Sequence, residues 1–278
     1  MPKYFVATRQ IGERVDSGNL HIPPEVIHHL KKVLRVRIGE QVIFCDAAST
    51  DYHCKIATLE PFSVTIETTA AAPEPAYKVT LYQSLLKADK LDWLVQKAVE
   101  LGVFEIIPVQ TEFSVKKNCN IARLQKIAES AAGQSMRGII PKVQNVQNWE
   151  MAVAQAAKAE MAIIAYEKAE DFSIKNAIES WGEVGNAENS ENFENFENSN
   201  NAANSQNSNN ATNSQNLKNS NKKPQKIALW IGPEGGFSGQ EVEFVRQNGF
   251  FVVSLGKRVL RAETAGLAAL VELGLGLG

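Results

Sequence analysis

Two glycine-punctuated loops near the carboxyl end constrain the fold of this chain more than any other feature. The first reads Leu229-Trp230-Ile231-Gly232-Pro233-Glu234-Gly235-Gly236-Phe237-Ser238. The second reads Leu255-Gly256-Lys257-Arg258-Val259-Leu260-Arg261-Ala262-Glu263-Thr264-Ala265-Gly266. Each follows an apolar strand and leads into a helix, which is where α/β proteins present backbone amides to a ligand. Neither is a phosphate loop, because both the Gly-Lys-Ser/Thr ending and the Gly-x-Gly-x-x-Gly spacing are missing. A lone Gly-Gly reads as a turn. The neighbouring Pro233-Glu234 and the second loop shift the reading to ligand contact.

The rest of the chain falls into two parts. Residues 1–70 read as short β-rich segments, Gln41–Phe44, Tyr52–Ile56 and Ser63–Glu67, with one helix near Glu25–Leu34 after Pro23-Pro24. This pattern fits a small β-barrel. Ala70-Ala71-Ala72-Pro73-Glu74-Pro75 reads as a linker. From there strands and helices alternate, the pattern of a parallel sheet with crossover helices. Strands are expected at Val79–Gln83, Glu105–Val109, Met161–Tyr166, Ile227–Ile231 and Phe250–Leu255. Leu91, Leu94, Val95 and Ala98 share one helical face, and Gly102 supplies its stop. Ser238-Gly239-Gln240-Glu241 reads as a capping box. The C-terminal Leu273-Gly274-Leu275-Gly276-Leu277-Gly278 reads as a frayed tail. Residues 186–223 hold 15 asparagines among 38 positions, too little apolar surface to offset ordering entropy, so disorder is expected there.

Composition narrows the function. The chain has 278 residues, 44% of them hydrophobic, enough for two domains with cores. No apolar run is of bilayer length and no signal-peptide pattern opens the chain, so a cytoplasmic location is expected. Cys45, Cys54 and Cys119 form no Cys-x-x-Cys pair, and reduced thiols rather than a metal site are expected. The net charge of −2 gives no bulk support for nucleic-acid binding. Locally, however, Lys31, Lys32, Arg35 and Arg37 lie in seven residues without an acid. On pattern alone that run is a solvated face.

The two loops, with His29-Leu30-Lys31-Lys32-Val33-Leu34-Arg35 before Gly39, Lys97-Ala98-Val99-Glu100-Leu101-Gly102-Val103 before Pro108, then Gln134, Arg137 and Pro141, resemble the RsmE family over nearly the whole chain. These are bacterial methyltransferases of the SPOUT superfamily that modify N3 of a 16S ribosomal RNA uridine. The resemblance implies an α/β fold whose SPOUT-type parallel sheet ends in a C-terminal trefoil knot, plus a small N-terminal PUA-like β-barrel domain. The boundaries expected are 1–70 for the RNA-binding domain and 71–278 for the methyltransferase domain. The knot follows from the resemblance alone, since general topology rules disfavour it. The chain departs from the family at Gly133, where an acid usually precedes the glutamine.

The resemblance further implies S-adenosyl-L-methionine held by Ile231, Gly232, Pro233, Gly235, Gly236, Leu255, Gly256, Val259, Leu260, Arg261 and Thr264, with Glu167 beside them. Arg261 is the candidate for stabilising charge on the uracil oxygens, with Arg258 second. Glu234 and Glu263 are candidates for taking the N3 proton or for holding an arginine. Glu263 also suits the first turn of a helix for electrostatic reasons alone. Lys31, Lys32, Arg35, Arg37 and Arg137 are expected to contact RNA. A homodimer is implied, with Leu267, Leu270 and Val271 of the last helix as interface candidates, and neither metal nor membrane is expected. Rival readings are a SPOUT enzyme acting on a ribose 2′-hydroxyl or a transfer RNA, and a non-catalytic RNA-binding protein.

Overall fold

The computed structural model describes residues 1–8, 20–169, 172–184 and 223–278. The expected asparagine-rich disorder over 186–223 lies outside the described residues, Lys223 apart.

The N-terminal part builds a four-stranded sheet in the order β1 (Lys3–Phe5), β4 (Gln41–Cys45), β5 (Thr50–Leu59), β6 (Phe62–Ala71). The β1–β4 pair is parallel and the others antiparallel. A two-stranded ribbon, β2 (Ala7–Thr8) with β3 (Leu20–His21), accompanies it. Alternation along β4 and β5 sends Val42, Phe44, Tyr52, Cys54 and Ile56 into one core with Leu30. Leu30 belongs to a π-helical turn, His29–Val33, that continues α1 (Pro24–His28). Pro24 opens α1 at a position where its missing N–H costs nothing. The turn buries Leu30 while Lys32, Val33, Leu34, Arg35 and Arg37 remain exposed.

The second part is a six-stranded parallel sheet in the order β12 (Phe251–Val253), β10 (Met161–Ala165), β11 (Lys226–Ile231), β7 (Lys78–Ser84), β8 (Glu105–Val109), β9 (Lys142–Val143). Its central strands are nearly continuous apolar runs, as burial on both faces requires. Helices α2 (Ala88–Glu100), α3 (Ile121–Gln134) and α7 (Ala262–Leu277) pack on one another beside this sheet. On the other face Trp230 stacks on Tyr82 at 4.7 Å and meets Trp149 of α4 (Trp149–Ala156) edge-on. The expected capping box opens α6 (Gly239–Gln247): Glu241 N donates to Ser238 Oγ at 3.2 Å, and Ser238 N to Glu241 Oε2 at 2.9 Å. Helix α5 (Ile174–Val184) completes the described elements.

One expectation is corrected. The tail is not frayed: α7 runs to Leu277, with Leu273 and Leu277 buried. Gly276 packs closely on α5, where a Cβ would meet Ile178 Cδ1 at 2.6 Å. The segment 70–75 is tied to both of its neighbours. Ala72 N donates to Ser49 O at 2.9 Å, and Glu74 receives Arg137 through Nε at 2.9 Å and Nη2 at 2.7 Å. A second tie buries Lys3, whose Nζ donates to Asp51 Oδ2 at 2.9 Å and Met136 O at 3.1 Å. Bonds that cross between the two parts include Lys3 Nζ to Met136 O, Ala72 N to Ser49 O and Ser49 N to Gly138 O, and a desolvated charge pair, Lys3–Asp51 in one part and Glu74–Arg137 in the other, stands beside them on each side.

Candidate active site

Strands β12, β10 and β11 end flush, with Ala165 in register with both Ile231 and Val253. The three loops that leave those ends therefore converge on one side of the sheet, at the carboxyl edge where open α/β sheets bind ligands. Between them lies a cleft of about 480 Å³, within the usual range for small-molecule sites. Tyr166 and Glu167 line it from β10, residues 231–237 from β11, and residues 255–262 from β12.

The glycines have causes that the sequence did not reveal. Gly236 has φ +72, and a Cβ on it would lie 2.8 Å from Glu167 Oε1. Gly232 and Gly235 are closed off by Phe237 and Phe113, which a Cβ would approach to 3.2 and 3.0 Å. These glycines let the loop pack on its own protein as well as face the cleft. Gly256 has open space around it but φ +98, a conformation that disfavours any side chain. Buried Gln83 ties β7 to the first loop by donating from Nε2 to Gly232 O at 3.5 Å.

Lys90, in the first turn of α2, links two of the candidate acids, a role that nothing in its sequence neighbourhood marks. It lines the cleft and places Nζ 3.3 Å from Glu234 and 3.5 Å from Glu263. Partial burial works to raise the Glu234 carboxyl. Its own backbone N–H, Lys90 and the backbone N–H of Lys87 outweigh that and hold it below the usual carboxylate range. Glu234 is therefore an anion at neutral pH. The Asp89-Lys90 pair in an amphipathic helix carries no sequence signal for this role; only the fold brings α2 beside the glycine loops.

The expected residues divide as follows. Ile231, Gly232, Pro233, Glu234, Gly235, Gly236, Leu255, Gly256, Val259, Leu260, Arg261 and Glu167 all line the cleft. Arg261 is the N-cap of α7, so its side chain starts at the cleft rim. Thr264 does not line it: one turn into α7, its side chain faces solvent. Glu263 is also outside the lining and acts on the cleft only through Lys90. Arg137 is corrected most sharply. It is 4% exposed, and beyond Glu74 its Nη1 donates to Val99 O at 2.8 Å and Val103 O at 3.0 Å, so the side chain is turned inward rather than toward RNA. Of the basic run, Lys31 pairs with Glu60 and donates to Leu59 O at 3.1 Å, while Lys32, Arg35 and Arg37 are exposed. Leu270 is 4% exposed within its own core, so Val271 and Leu275 are the residues that α7 leaves outward.

Comparison with known proteins agrees with this geometry. Residues 72–190 and 183–273 match the RNA methyltransferase domain family, and residues 22–68 the RNA methyltransferase PUA domain. A Bacillus subtilis protein named ribosomal RNA small subunit methyltransferase E is 28% identical over 280 residues, covering 97% of this chain and 94% of the relative. One of the same name from Mesomycoplasma hyopneumoniae is 27% identical over 251 residues, covering 88% and 89%. The crystal structure of that methyltransferase from Neisseria gonorrhoeae, bound to S-adenosyl methionine, superposes with a TM-score of 0.71 at 26% identity, covering 99% of this chain and 97% of that one. With a PUA-like domain in front and a methyltransferase domain matched over most of the remaining chain, this protein belongs to the RsmE family of RNA methyltransferases.

Proposed function

We propose that this chain transfers a methyl group from S-adenosyl-L-methionine to N3 of a uridine in 16S ribosomal RNA of the small subunit, acting in the cytoplasm as a homodimer. The observation that carries this reading is the cleft itself: three loops from flush parallel strands, with apolar walls and an anion at one side. Its chemistry suits the cofactor. Leu255, Val259, Leu260 and Ile231 offer apolar surface for an adenine, and the glycine loops bring backbone groups close. The net charge of Lys90, Glu234 and Glu263 together is −1, which complements a sulfonium.

When bound, the cofactor supplies an activated methyl group, so the protein needs only to orient the base, exclude water and manage one proton. Uridine N3 must lose that proton as the N3–carbon bond forms and the sulfur–carbon bond breaks. Arg261, at the rim, stabilises the negative charge that spreads to the uracil oxygens. Glu234 receives the proton, because of the two candidate acids only it lines the cleft. Glu263 holds Lys90 in position. Residues 1–70 dock the RNA, with Lys32, Arg35 and Arg37 on phosphates, and residues 71–278 form the methyltransferase domain with the family's trefoil knot. The outward Val271 and Leu275 of α7 support dimerisation through that helix.

Reverse transcription of 16S ribosomal RNA tests the reading, because a methyl on N3 blocks the pairing edge. RNA from cells lacking the gene should lose one uridine stop and regain it on complementation. An unchanged stop pattern, or a change confined to ribose methylation, would overturn the assignment.

A further inference from the structure

The loop after β8 carries an aromatic side chain that the cofactor cleft does not use. Phe113 is 45% exposed, and no aromatic ring stacks on it among the described residues. It is not a stray surface residue. Its Cβ sits 3.0 Å from where a Cβ on Gly235 would lie, so the backbone of the first glycine loop and the base of this side chain are in direct contact. Gly235 in turn lines the cleft. Strand β8 is parallel to the cleft strands, so residues 110–117 emerge at the same carboxyl edge, on the side opposite β10 and β12.

The loop is also held in shape. Glu112 N donates to Glu241 Oε1 at 2.9 Å, using the one oxygen that the α6 capping box leaves over. Thr111 N donates to Ser114 Oγ at 3.1 Å, and Ser114 N to Thr111 O at 3.1 Å. An ordered turn therefore presents a bare ring beside the cofactor cleft, and the exposed Lys116 and Lys117 that follow have no acidic partner among the described residues.

N3 lies on the pairing edge of uracil, so a base that is methylated there has to be unpaired and unstacked first. An unstacked base in a protein site is commonly received on an aromatic face. We propose that Phe113 is the platform on which the target pyrimidine stacks, with Lys116 and Lys117 holding the adjoining phosphates. This inference rests on the methyl-transfer reading above but depends on where the base sits, not on which atom is methylated.

Phe113→Leu keeps the carbon atoms that touch Gly235 and removes the ring. It should lower kcat/KM for small-subunit RNA by about 5- to 150-fold, the range for loss of one base–aromatic stack. Affinity for S-adenosylmethionine and Tm should match the parent, and Phe113→Trp should keep most of the activity. RNA carrying 5-iodouridine at the target position, photo-crosslinked and mapped by mass spectrometry, should give an adduct on Phe113. A Phe113→Leu protein as active as the parent would overturn the proposal. So would equal losses in the Leu and Trp variants accompanied by weaker cofactor binding, which indicate packing alone. A shift from dimer to monomer in Phe113→Leu would place the ring in a subunit interface instead and overturn it too. If the adduct forms on Phe113 but no N3-methyluridine is made, the stacking platform stands and the methylation assignment falls.

Discussion

Removing the Glu74 carboxylate should be among the most damaging single changes in this chain. Glu74 accepts from Arg137 Nε and Nη2 and also from the backbone N–H of Gly138 at 2.7 Å. Its side chain is 16% exposed and that of Arg137 5%, so the pair is largely desolvated. Glu74→Ala leaves the guanidinium buried with only the Val99 and Val103 carbonyls as partners. Breaking one side of such a pair costs about 3–5 kcal/mol. At about 2–4 °C per kcal/mol for a chain of this size, Tm should fall by roughly 6–20 °C. Urea unfolding should show the loss as a lower midpoint with little change in slope. Arg137→Ala should produce a similar loss while the salt dependence of RNA binding stays as in the parent, since no phosphate contact is removed. A stability change below about 1 kcal/mol in Glu74→Ala, the size of an exposed pair, would refute the reasoning.

Other outcomes follow from the site and the core. Lys90→Met should release Glu234, whose pKa Lys90 helps to depress. Because a depressed carboxyl stays charged until pH falls through its folded value, the acid limb of the pH–rate profile should move to higher pH in the variant; an unmoved limb would separate Lys90 from Glu234. Burial raises the Cys45 and Cys54 thiols to about 11, so neither should react with a thiol reagent at pH 8 until the protein is unfolded. Rapid labelling of both in the native state would contradict the fold of the N-terminal sheet. Reversal of Arg35 and Arg37 to glutamate should lower RNA affinity and flatten its salt dependence, with cofactor affinity measured by calorimetry unchanged. Val271→Asp with Leu275→Asp should dissociate the proposed dimer in sedimentation, and a sedimentation profile identical to the parent would remove α7 from the proposed interface.

Much of the fold was legible because its signals are periodic or local. The apolar runs that became β7, β8, β10 and β11, the stripe Leu91–Ala98 and the Ser238–Glu241 box depend on neighbours in sequence. What escaped depends on neighbours in space. Nothing in an isolated lysine says that Lys90 will bridge Glu234 and Glu263, or that Arg137 will turn inward to Glu74. The C-terminal glycines misled in the same way: Gly276 marks close packing on Ile178 inside a helix rather than a break. The motif puts Thr264 next to the cofactor loops in sequence, but helical geometry turns its side chain to solvent. Phe113 carries no signal in its own stretch of sequence, because its neighbour is Gly235, which lies far along the chain.

Everything proposed for the site depends on the cleft between residues 231–237 and 255–262 holding S-adenosylmethionine. A crystal structure of this protein with S-adenosylhomocysteine tests it most directly. Density for the nucleoside should appear between the two glycine loops, against Leu255 and Leu260, with the sulfur on the side of Glu234 and Lys90. Density anywhere else, or a cleft left empty at saturating ligand, would contradict it.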